Sequence, residues 1–145
     1  MSKQVTEQQI ERLTLLQHAL LNKFYQNNGS PMRIKRPAEG WVIRKPDLAI
    51  IAGLCLTPIT EGYWLTGLFV TAEQRQRGIA QQLIKHIQQA YPESSIWLFC
   101  HPDLLTFYQQ INFAKAQQLP AALSSRLIRY QQSKKLIALQ YVRQY

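Results

Sequence analysis

Residues Val70–Ile84 read Val-Thr-Ala-Glu-Gln-Arg-Gln-Arg-Gly-Ile-Ala-Gln-Gln-Leu-Ile, and this stretch decides how the chain is expected to fold. The apolar run Leu65–Val70 leads into it, which indicates a β-strand. Apolar residues at helical spacing follow, namely Ile79, Leu83, Ile84 and Ile87. The stretch therefore predicts a strand, a short polar turn and a helix, with Gly78 in the turn.

The turn before this helix has the features of an anion-binding site. The first backbone N–H groups of a helix have no acceptor within the helix, and the helix dipole adds partial positive charge at the same end. Gly78 has no side chain to keep a ligand from the backbone, and Ala80 is the next smallest choice. Arg75 and Arg77 add full positive charges. The stretch therefore predicts a phosphate site, and the alternative is a solvated basic turn in which the glycine serves only the backbone.

The spacing Arg75-x-x-Gly78-x-Ala80 resembles the pyrophosphate-binding signature of the GCN5-related N-acetyltransferases (GNAT), Gln/Arg-x-x-Gly-x-Gly/Ala. The resemblance implies that the chain binds acetyl-CoA as its acetyl donor. It implies that backbone groups of Leu68, Phe69 and Val70 hold the acetyl and pantetheine end. The residues implied to hold the pyrophosphate are Arg75, Gln76, Arg77, Gly78, Ile79, Ala80 and Gln81. For the two arginine side chains, plain solvation is the alternative.

A second segment, Phe107-Tyr108-Gln-Gln-Ile-Asn112-Phe113, is similar to the Tyr-x-x-x-Gly-Phe segment of the same family. Asn112 replaces the glycine, and asparagine adopts the left-handed backbone expected at this helix end better than any other residue except glycine. The resemblance implies that Tyr108 protonates the departing CoA thiolate. A phenol suits this role because its pKa of about 10 keeps it protonated at neutral pH. The alternative is a helix residue with an exposed hydroxyl.

The base that removes a proton from the attacking amine is not marked in the sequence. Many relatives place a glutamate in the strand before the loop or in the next strand, whereas Tyr63–Val70 and Ile96–Cys100 contain no carboxylate. Glu61 precedes the first of these strands and would act through a water molecule. His101 follows the second strand and is the other candidate, since imidazole is a common general base in enzymes. Its alternatives are a hydrogen bond to pantetheine and a cap on a helix beginning at Asp103.

Composition narrows the range of functions. The 145 residues are expected to form a single GNAT-like N-acetyltransferase domain, residues 1–145, and the resemblance extends from about Trp41 to Val142. The formal net charge of +9 could attract a nucleic acid, suit a phosphorylated small ligand such as CoA, or simply maintain solubility. Basic residues are spread along the chain without interleaved aromatic residues, so nucleic acid is not the expected partner.

Cellular setting and metal content are also predicted. No run of 18 apolar residues and no signal peptide occur, so a cytoplasmic protein with no membrane partner is expected. Cys55 and Cys100 lie in apolar runs and are expected to be buried and reduced. No Cys, His, Asp or Glu cluster has metal-ligand spacing, so no metal is expected.

The predicted element order begins with a helix at Thr6–Asn27, in which Thr6 and Gln9 form a capping box. Its predicted apolar stripe consists of Ile10, Leu13, Leu16, Leu20 and Phe24. Predicted strands lie at Met32–Arg36, Trp41–Arg44, Leu48–Thr57, Tyr63–Val70, Ile96–Cys100, Phe113–Ala116 and Lys134–Arg143. Further predicted helices lie at Gly78–Tyr91, Leu104–Ile111 and Ala121–Gln131.

This order predicts an α+β fold, an α/β three-layer arrangement with a central mixed, mostly antiparallel sheet and flanking helices. Ile96–Cys100 is expected to run parallel to Tyr63–Val70. The order also matches the acyl-CoA N-acyltransferase fold of the family that the chain resembles.

We therefore expect an acetyl-CoA-dependent N-acyltransferase that acetylates a primary amine by direct attack through a tetrahedral intermediate. The alternatives are a non-catalytic acyl-CoA-binding or regulatory module, which the missing carboxylate favours, and a basic nucleic-acid-binding domain. The amine acceptor, a small molecule or a protein, is not identified by the sequence. A homodimer through the last strand or the first helix stays open.

Overall fold

The computed structural model describes residues 9–141. The strands are β1 (Gln9–Arg12), β2 (Glu39–Arg44), β3 (Ile50–Ile59), β4 (Gly62–Val70), β5 (Ser95–Cys100), β6 (Phe113–Lys115) and β7 (Ile137–Tyr141). The α-helices are α1 (His18–Asn27), α2 (Ile79–Ala90), α3 (Leu105–Gln109) and α4 (Ala121–Gln131). Short 3₁₀ turns lie at Leu15–Gln17, Ala72–Gln74 and Pro102–Leu104.

The seven strands form one mixed sheet in the order β1-β2-β3-β4-β5-β7-β6. β1 with β2, β2 with β3, β5 with β7 and β6 with β7 are antiparallel pairs. β4 and β5 are parallel, with the register pairs Gly62↔Ser95, Tyr63↔Ile96 and Trp64↔Trp97. The predicted mixed, mostly antiparallel sheet is confirmed, and so is the predicted parallel pair. The two strands are parallel because a strand–helix–strand unit returns its second strand in the direction of the first.

The described residues divide into two compact units. The first contains the chain up to Thr57 and the segment Thr66–Ala90. The second contains Pro58–Leu65 and the chain from Tyr91 onward. β4 therefore begins in the second unit and ends in the first.

The first unit has its core around α1. Phe24 and Tyr25 of this helix pack in one buried cluster with Val42 of β2 and Cys55 of β3. α2 buries the apolar positions that the sequence predicted to lie at helical spacing, Ile79, Leu83, Ile84 and Ile87. Removing these side chains from water supplies the main stabilisation of the unit.

The second unit has its core along β5 and β7. Ile96, Leu98 and Leu139 are each no more than 2% exposed, as expected for strands that are paired on both sides. Asn112, between α3 and β6, has φ of +72°, so the predicted left-handed conformation is confirmed. The predicted helix Ala121–Gln131 is found with the same bounds as α4.

The predicted helix Thr6–Asn27 is wrong in its first half. Gln9–Arg12 is strand β1 and pairs with β2, and the α-helix begins only at His18. Strand pairing outweighs the local helical pattern here, because a sheet edge offers backbone hydrogen bonds and apolar contact at once. Thr6 lies outside the described residues, so a cap at that position is not described.

The start of α1 is organised by different residues from those predicted. Thr14 and Gln17 form the capping box, in which the Gln17 side-chain oxygen accepts a hydrogen bond of 2.9 Å from the Thr14 N–H. Two members of the predicted apolar stripe are consequently exposed, Leu16 at 95% and Leu20 at 43%, while Leu21 is fully buried.

Two other predicted strands need correction. Met32–Arg36 contains no strand; the Ile34 N–H donates to the Asn22 side chain at 2.8 Å rather than to a neighbouring strand. The final strand, predicted at Lys134–Arg143, begins at Ile137 and is described as far as Tyr141.

The revised start of α1 can be tested by a pair of leucine substitutions. Leu21→Ala is expected to lower the free energy of unfolding by about 2–5 kcal/mol, because it empties a fully buried position. Leu16→Ala should change it by less than about 0.5 kcal/mol, since this side chain is almost wholly exposed. Urea unfolding of both variants measures the difference, and equal losses would contradict the structure.

Candidate functional site

The loop between β4 and α2 carries the predicted anion site and lies in the first unit. Its start is anchored by the Thr71 N–H, which donates to the Ile51 carbonyl at 2.9 Å. Gln76 and Gly78 then adopt left-handed conformations, with φ of +63° and +77°. A Cβ at Gly78 would meet nothing within 4 Å. The glycine is therefore favoured by its backbone conformation, and the space in front of it is open.

The amides of this loop are unpaired. Within residues 9–141, the N–H groups from Gln76 to Gln81 have no protein acceptor. The next amide, that of Gln82, donates to the Gly78 carbonyl at 3.0 Å and starts the helical ladder. α2 continues for 12 residues, so a developed helix dipole adds positive potential at these amides. An oxyanion is the ligand that such a helix start binds best.

The two arginines of the loop are placed differently. The Arg75 Nε donates to the Val70 carbonyl at 2.9 Å, and its guanidinium lies over the Phe69 ring, 5.2 Å from the centroid. Arg75 thus ties the loop to the end of β4. Arg77 is exposed and has no partner in the part of the chain that the structure describes. It is therefore a cation available to a ligand beside the unpaired amides.

A left-handed residue within β4, Gly67, was not among the predictions from the sequence. Gly67 has φ of +67° in the middle of the strand. A Cβ there would lie 2.6 Å from the Tyr25 hydroxyl oxygen and 2.8 Å from Cγ of Met32. The Tyr25 hydroxyl donates to the Gly67 carbonyl at 2.6 Å. The predicted acetyl- and pantetheine-holding residues Leu68, Phe69 and Val70 follow directly.

His101 lies in the second unit, after β5, and caps the 3₁₀ turn Pro102–Leu104. Its Nδ1 accepts a hydrogen bond of 3.0 Å from the Asp103 N–H. The neutral ring then carries its proton on Nε2, so the free nitrogen is a donor and not a basic lone pair. The capping alternative raised by the sequence is thus present in the structure.

Tyr108 lies on α3 and is only 7% exposed. Its ring packs against Phe107 and Phe113, with centroid separations of 4.9 and 5.7 Å. The hydroxyl has no hydrogen-bond partner among residues 9–141, yet it is not one of the fully enclosed polar atoms. Burial, together with the nearby Cys100 thiol, raises the pKa of Tyr108 to about 12. The phenol is therefore protonated throughout the neutral range.

The side chains of Glu61 and His101 lie far apart along the sheet. Glu61 precedes Gly62, which is paired with Ser95 at the start of β5, whereas His101 follows the last residue of that strand. A strand rises about 3.3 Å per residue, and Glu61 precedes the start of β5 in register while His101 follows its end, so roughly 23 Å along the strand separates the two residues. The two base candidates therefore cannot act on the same atom.

The remaining sequence expectations concern cysteines, metals and membranes. Cys55 and Cys100 are free and buried, as predicted. Among the described residues, no group of three or more His, Cys, Asp and Glu side chains could hold a metal ion. No helix formed by those residues has the length and apolar character needed to cross a membrane.

Comparison with known proteins places this geometry in context. No curated protein matches the chain. Among solved structures, Tetrahymena GCN5 superimposes with a TM-score of 0.70 at 16% identity, covering 94% of this chain and 98% of that one. Escherichia coli ElaA gives 0.63 at 16% identity, covering 94% and 99%. Arabidopsis thaliana Naa50, in complex with the bisubstrate analogue CoA-Ac-MVNAL, gives 0.67 at 12% identity, covering 94% and 99%.

At these identities the structural likeness shows the fold alone, which is that of the GNAT acyl-CoA N-acyltransferases. The sequence model described as the acetyltransferase (GNAT) family matches residues 6–113, well over half of the chain. This protein belongs to the GNAT acetyltransferase family.

Proposed function

We propose that this protein is an N-acetyltransferase that transfers an acetyl group from acetyl-CoA to a primary amine, and that residues 1–145 act as one such domain. The observation that carries the proposal is the run of amides from Gln76 to Gln81 which, like the neighbouring Arg77 side chain, have no partner among residues 9–141. The CoA-containing bisubstrate analogue named with Naa50 supports an acyl-CoA donor. A cytoplasmic setting remains the expectation from the sequence.

The pyrophosphate of acetyl-CoA is the part of the substrate that this loop fits. Its oxygens would accept hydrogen bonds from the amides between Gln76 and Gln81 and from Arg77, while Arg75 holds the loop in place. Backbone groups of Leu68, Phe69 and Val70 would contact pantetheine and the acetyl carbonyl. The amides and Arg77 have no hydrogen-bond partner among residues 9–141, and Leu68, Phe69 and Val70 end the strand that leads into the loop.

The proposed chemistry is direct transfer. The neutral amine attacks the thioester carbonyl, the new C–N bond forms, and the carbonyl oxygen becomes an oxyanion that backbone N–H groups stabilise. The nitrogen of this intermediate loses its extra proton to water, the oxyanion collapses to the amide carbonyl, and the C–S bond breaks so that CoA leaves as a thiolate. Tyr108 is proposed to donate its proton to that sulfur and to regain a proton from solvent; its raised pKa keeps it protonated at neutral pH, although it is a weaker acid than an ordinary phenol.

In this proposal, no protein side chain is needed to remove the proton from the acceptor amine. A net positive protein disfavours a protonated amine and lowers its pKa, so the acceptor can lose its proton to water. The geometry of His101 supports a donor role toward pantetheine more than a base role. Glu61 is exposed in the turn before β4, at the opposite end of the strand from Leu68, and its role as a water-mediated base stays a prediction from the sequence that this proposal does not use.

The CoA-binding assignment is tested by a matched pair of glycines. Gly78 and Gly29 both have left-handed φ, +77° and +75°, and both face open space. Gly78→Glu is expected to weaken CoA binding by about 100-fold or more in calorimetry, because it brings negative charge and bulk to the pyrophosphate. Gly29→Glu imposes the same backbone strain and should leave the affinity unchanged. Normal CoA affinity of Gly78→Glu would contradict the assignment.

The role of Tyr108 is tested by removing its hydroxyl. Tyr108→Phe is expected to lower kcat by about 100-fold while the acetyl-CoA affinity stays within about twofold, since only the leaving-group step loses its donor. Tyr141→Phe is the control, because Tyr141 also packs on Phe113, at 6.0 Å. Equal activity of Tyr108→Phe and the native protein, with chemistry shown to be rate-limiting, would exclude the role.

A second candidate function, a non-catalytic acyl-CoA-binding module, is favoured by one observation. Neither β4 nor β5 contains an aspartate or a glutamate. A screen of small amines, peptides and polyamines, with release of the CoA thiol as the readout, separates the two functions. Binding of acetyl-CoA without thiol release toward any amine would support the module.

A further inference from the structure

The hydroxyl of Tyr25 is a buried polar group that the proposed mechanism does not use. Tyr25 lies on α1 and is 0% exposed. Its hydroxyl donates to the Gly67 carbonyl on β4 at 2.6 Å, across 42 positions of sequence. The neighbouring Phe24 contacts the Phe69 ring edge-on, with 5.9 Å between centroids. Side chains of α1 thus contact both the backbone of β4, at Gly67, and a side chain of β4, that of Phe69.

The direction of these hydrogen bonds follows from their chemistry. The carbonyl of Gly67 can only accept, so the single hydroxyl proton of Tyr25 is given to it. The Cys55 sulfur lies 3.6 Å from the same hydroxyl, so the thiol donates to the hydroxyl oxygen. Burial raises the pKa of Cys55 to about 11 and also raises the pKa of Tyr25, so both groups keep their protons at neutral pH. The result is a chain of two hydrogen bonds ending on β4.

Gly67 has an irregular backbone, so a contact to its carbonyl acts on the direction of the peptide that follows. Its φ of +67° interrupts the extended conformation of the strand, and the peptide that follows it is turned relative to a regular pleat. That peptide contains the Gly67 carbonyl and the Leu68 N–H, which point in opposite directions in one rigid plane. A group that fixes the direction of the carbonyl therefore also fixes the direction of the Leu68 N–H.

We propose that Tyr25 is a positioning residue for acetyl transfer, which orients the Leu68 N–H toward the oxyanion of the tetrahedral intermediate by holding the Gly67 carbonyl. The inference rests on the proposed function, in which Leu68, Phe69 and Val70 hold the acetyl end. Tyr25 itself touches no substrate. Without its hydroxyl the peptide after Gly67 would be free to rotate, and a donor aimed at the developing charge would become misaligned.

The experiment compares Tyr25→Phe with Cys55→Ala. Tyr25→Phe keeps the ring and removes only the donor to Gly67, whereas Cys55→Ala disturbs the same buried cluster but leaves the Tyr25–Gly67 hydrogen bond in place. We expect Tyr25→Phe to lower kcat by about 10- to 100-fold, with the KM for acetyl-CoA changed by less than about twofold. Cys55→Ala should retain the native kcat within about twofold.

A spectroscopic measurement reports on the peptide plane directly. In ¹⁵N–¹H NMR spectra, the Leu68 amide should shift when saturating acetyl-CoA is added to the native protein and to Cys55→Ala. In Tyr25→Phe that shift should fall below half. A merely structural role of Tyr25 would lower the thermal midpoint of Tyr25→Phe and leave both kcat and the Leu68 response intact.

These experiments distinguish failure of the positioning role of Tyr25 from failure of the proposed acetyltransferase function. If the native protein releases thiol with an amine and Tyr25→Phe keeps its kcat, the positioning role is wrong and the proposed function stands. If the native protein is inactive with every amine, the function fails and the NMR comparison alone decides the positioning role. A Leu68 amide that does not respond to acetyl-CoA in the native protein, or responds equally in Tyr25→Phe, overturns it.

Discussion

Backbone N–H groups without a protein acceptor are the constraint around which the first unit is arranged. A helix usually meets this need with a serine, threonine, aspartate or asparagine at its start. Here the residues Arg75 to Gly78 offer no such side chain, and the amides up to Gln81 remain unpaired within the described residues. Solvent satisfies them in the free protein, and an oxyanion would satisfy them better because the helix dipole and Arg77 favour negative charge. The local sequence is thus poor at capping its own helix and well suited to binding a phosphate.

The end of β4, which leads into this loop, is held by several side-chain contacts. The end of β4 is fixed from three directions: by Tyr25 at the Gly67 carbonyl, by Phe24 at the Phe69 ring and by Arg75 at the Val70 carbonyl. Two of these contacts are hydrogen bonds to backbone carbonyls from side chains outside the strand. A regular strand needs no such support, because its neighbours hold it. The contacts therefore identify this short segment as one whose backbone direction matters.

The sequence predicted the part of the fold whose information is local. α4, the loop glycine at position 78 and the left-handed Asn112 follow from residue types and their spacing. β1 could not be predicted, because Gln9–Arg12 has no alternating apolar pattern and becomes a strand only by pairing with β2. The left-handed conformation of Gly67 had a signal, an isolated glycine inside an apolar strand, which is typical of an irregular strand. Its partner Tyr25 had none, since nothing local to α1 indicates a hydrogen bond to a residue 42 positions away.

The lack of carboxylates in β4 and β5 has a chemical consequence for the acceptor. Their side chains are apolar, aromatic or small and polar, so no negative charge in these strands would stabilise a bound ammonium group. In the proposed function, this lack of carboxylates and the formal charge of +9 would lower the pKa of an acceptor amine and disfavour polycations, since like charges repel. An amine that is weakly basic, or that carries its own carboxylate, meets neither obstacle. In the proposed function, the charge that suits the pyrophosphate of CoA would thus disfavour polyamines and favour acceptors that reach the thioester in their neutral form.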